Sequence, residues 1–152
     1  MRPEVLIRAL APRDAAQLQA FVRGLSPRSR RERYFTAIQE LAPRELERMT
    51  RPTAAADMAL AAFDGEGIVG VAECSDGEFA LVVADAWQGT GLGRELMERL
   101  LEQARNRKLP VLHGIVRTGN RAMLRLGRSL GFRAARASDP DLVQMELELA
   151  RA

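Results

Sequence analysis

The chain is poor in the residues that build metal sites, disulfide frameworks and membrane spans. It has one cysteine, Cys74, and one histidine, His113, in 152 residues. One of each cannot supply the ligands of a closed zinc site, and a lone thiol cannot form an internal disulfide framework. Long apolar runs are missing too. MALAAF (58–63) and FALVVA (79–84) are far too short to cross a bilayer, and the opening stretch MRPEVLIRAL lacks the apolar core of a signal peptide. A cytoplasmic protein is expected, with no membrane partner. No sign of charge dominates: 23 Lys and Arg face 20 Asp and Glu, a net +3. There is no RNP-like, zinc-finger or helix-turn-helix signature, so no nucleic-acid partner is expected. Nor is there a linker, an internal repeat or a low-complexity segment, and a single domain over 1–152 is expected.

What is present is a globular composition, 47% apolar and 28% charged. VLIRAL (5–10) predicts a strand. Pro12 to Arg23 predicts a helix with Leu18, Phe21 and Val22 on one face. Ser26-Pro27 is an N-cap with proline at the first helical position, and that helix is expected to run to about Glu40. A Pro-started turn follows over Pro43 to Thr50. MALAAF and GIVGVAECS (67–75) flank Asp64-Gly65-Glu66-Gly67 as a hairpin, and FALVVA continues the series. A helix from about Gly91 to Arg107 carries Leu92, Leu96, Met97, Leu100, Leu101 and Ala104 on its core face. Pro110 to Val116 predicts a strand, Asn120 to Leu130 a helix stopped by Gly131, and Leu142 to Leu149 a last strand. Hairpins first, then a strand-helix-strand-helix unit, argue for an α/β fold with a mixed, mainly antiparallel sheet.

The stretch DAWQGTGLGRELMERLL sets three alternating glycines before the longest helix. Helix N-termini carry unpaired amides and partial positive charge, so a bare backbone there suits a phosphate. A Walker A loop would need lysine and then Ser or Thr after the last glycine, but Arg94-Glu95 follow. A dinucleotide fingerprint would need G-x-G-x-x-G in a first strand-helix unit, with an acid about 20 positions on. Neither fits. The pattern is Q-x-x-G-x-G: Gln88-Gly89-Thr90-Gly91-Leu92-Gly93.

With VVADAWQGTGLGRELMERLL followed by NRAMLRLGRSLGF, the chain resembles the GCN5-related N-acetyltransferases over nearly its whole length. The resemblance implies that family's acetyltransferase fold and acetyl-CoA as cosubstrate, with no metal. It implies that Gln88, Gly89, Thr90, Gly91, Leu92, Gly93 and Arg94 hold the pyrophosphate. The backbone of Leu81, Val82 and Val83 would pair with the pantetheine arm, and Asn120 would lie near the cofactor. LSPRSRRERYFTAI and LAPRELERMT look like the acetyltransferase domain of bacterial protein lysine acetyltransferases. This would be a free-standing domain of that kind, monomeric or homodimeric.

The chemistry is constrained independently. An amine acceptor with a reference pKa of about 10.4 must lose a proton before it attacks a thioester, and a carboxylate is the usual means. The attack creates an oxyanion best held by a fixed backbone amide; the expected donor is the amide of Val83. The resemblance places the general base at Glu78, at the start of the strand before the glycine loop. Glu73 is the reserve. His113, in an otherwise apolar strand, is expected to be a packed or edge histidine, and Cys74 a buried inert thiol. Many relatives carry a tyrosine seven residues after the asparagine as acid for the departing thiol; here Gly127 stands there. Tyr34, the only tyrosine, is expected in the core. Arg28, Arg30, Arg31 and Arg33 fall on one short helix. The resemblance puts this helix beside the acceptor groove, where it would favour a lysine flanked by acidic residues. The other reading is a solvated face.

The expected function is acetyl transfer from acetyl-CoA to an amine, with a protein lysine as acceptor. The alternatives are small-molecule amine acetylation and a catalytically weak acyl-CoA-binding regulatory module.

Overall fold

The computed structural model describes residues 4–35 and 38–149. Its centre is a seven-stranded sheet in the order β1-β2-β3-β4-β5-β7-β6. The strands are β1 (Leu6–Ala9), β2 (Met58–Phe63), β3 (Ile68–Ser75), β4 (Glu78–Val83), β5 (Val111–Arg117), β6 (Arg133–Arg136) and β7 (Leu142–Glu148). Every neighbouring pair is antiparallel except β4 and β5. Among the described residues five α-helices cover the faces: α1 (Ala15–Arg23), α2 (Pro27–Tyr34), α3 (Pro43–Thr50), α4 (Leu92–Asn106) and α5 (Arg121–Ser129).

Alternation along the strands splits the core into two layers. On one face Ala72, Cys74 and Phe79 cluster with α4, whose six expected core residues are all buried. Each large side chain so buried contributes about 1.5–3 kcal/mol. On the other face Ala59, Ala61, Val71 and Val82 pack with Leu18, Phe21 and Val22 of α1 and Met49 of α3. Cys74 is fully buried, and burial pushes its thiol up to about 11. That matches an inert packed cysteine. Among the described residues no helix is long and apolar enough to cross a membrane.

Two elements differ from the sequence expectation. The helix begun at Ser26 ends at Tyr34, not near Glu40. Phe35 takes a left-handed conformation (φ 61°) and its amide donates to Arg31 O at 2.9 Å, closing the last turn. Leu41 is instead buried outside the helix, where Gln19 grips its backbone twice. Gln19 Nε2 donates to Leu41 O at 2.8 Å, and Leu41 N donates to Gln19 Oε1 at 2.7 Å. The second difference is β6, which pairs with β7 and whose four residues, RAAR, are all exposed. With no buried face it has no apolar alternation to read.

Candidate active site

β4 and β5 run parallel and keep register at one place, Glu78 beside His113. His113 N donates to Gly77 O at 2.9 Å there. Beyond this point the strands part, and the opening is the centre of the site. The direction of the β4 backbone follows from alternation. Ala84 N donates to Val69 O at 2.9 Å, toward β3, as Gly77 O points toward β5. The odd-numbered residues of β4 therefore aim their amides at the gap. Leu81 and Val83 are the two beside the opening.

One groove, a cavity of about 270 Å³, runs from this gap to the glycine loop. Gln88, Gly89, Gly91, Gly93 and Arg94 line it on the loop side, with Leu81 to Val83 along its floor. Ala122, Met123 and Leu126 of α5 form the opposite wall. Gly91 caps α4 in the left-handed region at φ 89°, a conformation that a β-branched residue adopts only under strain. Gly93 is helical, and a Cβ there would meet Leu81 Cδ2 at 3.4 Å. Gln88 reaches back to donate to Val83 O at 3.1 Å. Arg94 Nη1 donates to Ser129 Oγ at 2.7 Å, tying the start of α4 to the end of α5. Asn120 caps α5, its Oδ1 accepting from Met123 N at 3.2 Å. Thr90 and Leu92 do not line the groove. Thr90 donates its hydroxyl proton to Trp87 O, and Leu92 is buried beneath the loop.

A second groove of about 250 Å³ opens on the α2 side of the same gap. It is lined by Glu32, Phe35, Glu78, Ala80, Ile115 and Leu142, among others. Glu32, Arg33, Leu81, Asn120 and Met123 line both grooves, so the two meet in the split between β4 and β5. Glu78 follows a tight turn in which Asp76 (φ 52°) and Gly77 (φ 83°) are both left-handed, the geometry that closes a two-residue hairpin. The turn fixes Glu78 opposite Ser75 and exposed at the mouth of the second groove.

The two candidate glutamates are placed very differently. Glu73 lines neither groove. Its side chain is 5% exposed and takes Arg33 Nη2 on one oxygen and Arg48 Nη2, at 3.0 Å, on the other. Arg48 also donates to Glu45 at 2.7 Å, which holds the Glu45 carboxyl below its ordinary range and the Arg48 guanidinium above its own. Glu73 thus joins α2 and α3 to the sheet.

The structure narrows the reading of the arginine run at two of its four members, while Arg28 and Arg31 stay exposed. Arg33 is bound to Glu73 and lies over the Tyr34 ring at 4.5 Å. Arg30 is folded back onto Arg23 O and donates to Gln39 Oε1 at 3.0 Å. Neither joins a free cationic patch. The sequence carried no signal for the α2 anchor either: Ser29 Oγ donates to Asp85 Oδ1 at 2.7 Å and Ser26 Oγ at 3.1 Å, pinning α2 to the stretch before the glycine loop.

Tyr34 packs on the second core layer, lines neither groove, and burial raises its phenol above the usual value. Tyr34→Phe is expected to change the melting temperature and leave single-turnover acetyl transfer within about twofold. Loss of turnover in a folded variant with intact acetyl-CoA affinity would make Tyr34 the proton donor. Gly127 cannot be exchanged for a tyrosine without repacking, because a Cβ there would meet Met145 Cε at 2.4 Å. It faces β7, away from the split.

Residues 24–132 match the family model described as Acetyltransferase (GNAT) family. The chain is 35% identical over 147 residues to an acetyltransferase from Pseudomonas aeruginosa, covering 90% of this chain and 78% of that protein. Among solved structures, the GNAT domain of S. lividans PAT superposes with a TM-score of 0.85 at 24% identity, covering 94% of this chain and 89% of that one. A Salmonella typhimurium protein solved with its cofactor acetyl-CoA gives 0.78 at 22% identity, covering 98% of this chain and 96% of that one. Both the split sheet with its glycine-capped helix and the match over most of the sequence place this chain in the GNAT family of acetyltransferases, enzymes that draw their acetyl group from acetyl-CoA.

Proposed function

We propose that residues 1–152 act as one catalytic domain that acetylates a lysine side chain of a protein. The observation that carries this reading is the meeting of two grooves in the split between β4 and β5. A thioester can enter along the glycine-loop side and an amine along the α2 side, so the reactants approach from opposite faces.

In this reading the loop amides at the start of α4 and Arg94 take the pyrophosphate, and the gap-facing amides of β4 pair with the pantetheine arm. Glu78 accepts a proton from the incoming ammonium. The freed amine nitrogen attacks the thioester carbonyl, and the oxyanion so formed lies against the Val83 amide. The carbon–sulfur bond then breaks, the electron pair leaves on sulfur, and the second proton of the attacking nitrogen passes through water to the thiolate, leaving a neutral amide and a thiol. A thiol with an ordinary pKa of about 8.5 needs no fixed acid to depart, which suits a site where Gly127 faces the core.

The test is thiol release from acetyl-CoA with lysine peptides, whole proteins and small amines as acceptors. Acetylated lysine in a protein target supports the reading. Turnover confined to a small amine would replace it with the small-molecule alternative, and acetyl-CoA binding without turnover on any amine would point to a binding module. The cofactor half has its own check. Gly91→Val is expected to weaken CoA binding at least tenfold, about 1.4 kcal/mol, because the variant must leave the left-handed cap. Unchanged affinity in a calorimetric titration of the folded variant would remove the loop from the assignment.

A further inference from the structure

The acceptor groove carries carboxylates with no free cation to balance them. Among its lining residues the one cation is Arg33, and Glu73 has taken its guanidinium from the buried side. Glu32 and Glu78 both face the groove. The ion pair of Glu32 is loose: Arg28 Nε stands 3.7 Å away on a side chain that is 72% exposed, whereas Glu32 is 21% exposed. Such a surface pair holds little and yields to a better-placed cation. At the same rim stands Phe35, an exposed aromatic (44%) held left-handed at the end of α2. A non-glycine residue with positive φ is uncommon, and such strain tends to gather where a site needs a side chain held in place. An aromatic face beside two carboxylates suits an alkylammonium: the ring covers the methylene stem and attracts the charge.

We infer that this groove selects a cationic acceptor, an alkyl amine whose surroundings are positive or neutral, and that Glu32 and Phe35 are the residues that select it. The groove rejects an amine carrying its own carboxylate. An α-amino acid would bring that carboxylate against Glu32 or Glu78, with Arg33 already paired. The same repulsion sets acidic-flanked lysines below basic-flanked ones, the reverse of what the arginine run implies when read as sequence. The inference rests on the amine-acceptor reading above, and a test must separate the two.

The experiment measures kcat/KM at low and high salt. The acceptors are three peptides with one lysine flanked by arginines, alanines or aspartates, together with 1,5-diaminopentane and L-norleucine. The native protein is expected to prefer the basic-flanked peptide to the acidic one by at least roughly tenfold at low salt. That ratio should shrink as ionic strength rises, and norleucine should not be acetylated. Glu32→Gln should narrow the ratio and Glu32→Lys should invert it, through KM more than kcat. Phe35→Ala should raise KM for every amine, leaving kcat within about twofold. CoA affinity is titrated separately for each variant, because Glu32 also borders the cofactor groove. An acidic peptide used as well as the basic one, or a ratio unmoved in a folded Glu32→Lys protein that binds acetyl-CoA, overturns the selection while leaving lysine acetylation standing. If no amine is acetylated by a protein that binds acetyl-CoA, the acceptor reading itself has failed and takes this inference with it.

Discussion

Glu73→Ala is expected to lower stability by about 3 kcal/mol, the low end for removing one partner from a buried ion pair. For a chain of this size that is a fall of roughly 6–12 °C in the melting temperature. The low end applies because Arg33 and Arg48 keep 18% and 25% of their side chains exposed, while Glu73 keeps 5%. Without Glu73, two guanidinium groups from different helices lose the acceptor they share, and water reaches them only partly. α2 should loosen most, since Arg33 ties it to the sheet and its other polar ties run through Ser26 and Ser29 to the stretch before the glycine loop. Glu73→Gln keeps an oxygen for one arginine and should cost less. Thermal unfolding of both variants decides the matter. A melting temperature within a degree or two of the parent would show that the network is not structural. Normal stability with turnover abolished would move the general base to Glu73.

The parts of the fold that the sequence disclosed are those where one face is buried. α4 has a regular apolar stripe over a long run, and its six core residues all lie where the spacing puts them. The glycine-rich start of α4 was legible as a helix start, and Gly91 is its left-handed cap. What stayed hidden depends on contacts distant in sequence. The end of α2 could not be read, because Ile38 and Leu41 keep a helical spacing from Tyr34 although the chain has already turned at Phe35. Leu41 is held instead by Gln19, 22 residues away. Glu73 and Glu78 look alike as letters near one turn. Two arginines, one 40 residues earlier in the chain and one 25, bury the first. The tight turn leaves the second free at a groove mouth. The arginine run shows the same limit: its charge was plain, but that Arg33 is neutralised by Glu73, 40 residues away, is something only the fold reveals.

Glu78→Gln is expected to slow acetyl transfer by roughly a hundredfold or more, the usual share of a positioned general base. Acetyl-CoA affinity should barely change, because Glu78 lines the acceptor groove and not the groove of the glycine loop. The fold should survive as well, since the side chain is exposed at a strand end. The defect has a signature in pH. A lysine amine with a pKa of about 10.4 is only about 0.1% neutral at pH 7.4. Below that pKa, each unit of rise in pH multiplies the neutral fraction about tenfold. A variant without the base must rely on that fraction, so its rate should climb nearly tenfold per unit and approach the parent near pH 9.5. The parent, whose carboxylate removes the proton after binding, should rise less steeply over the same range. A parallel shift, in which both proteins keep the same slope, would make Glu78 a residue that positions the acceptor. No loss at all in Glu78→Gln, with Glu73→Gln equally active, would leave proton removal to water or to a group of the acceptor itself.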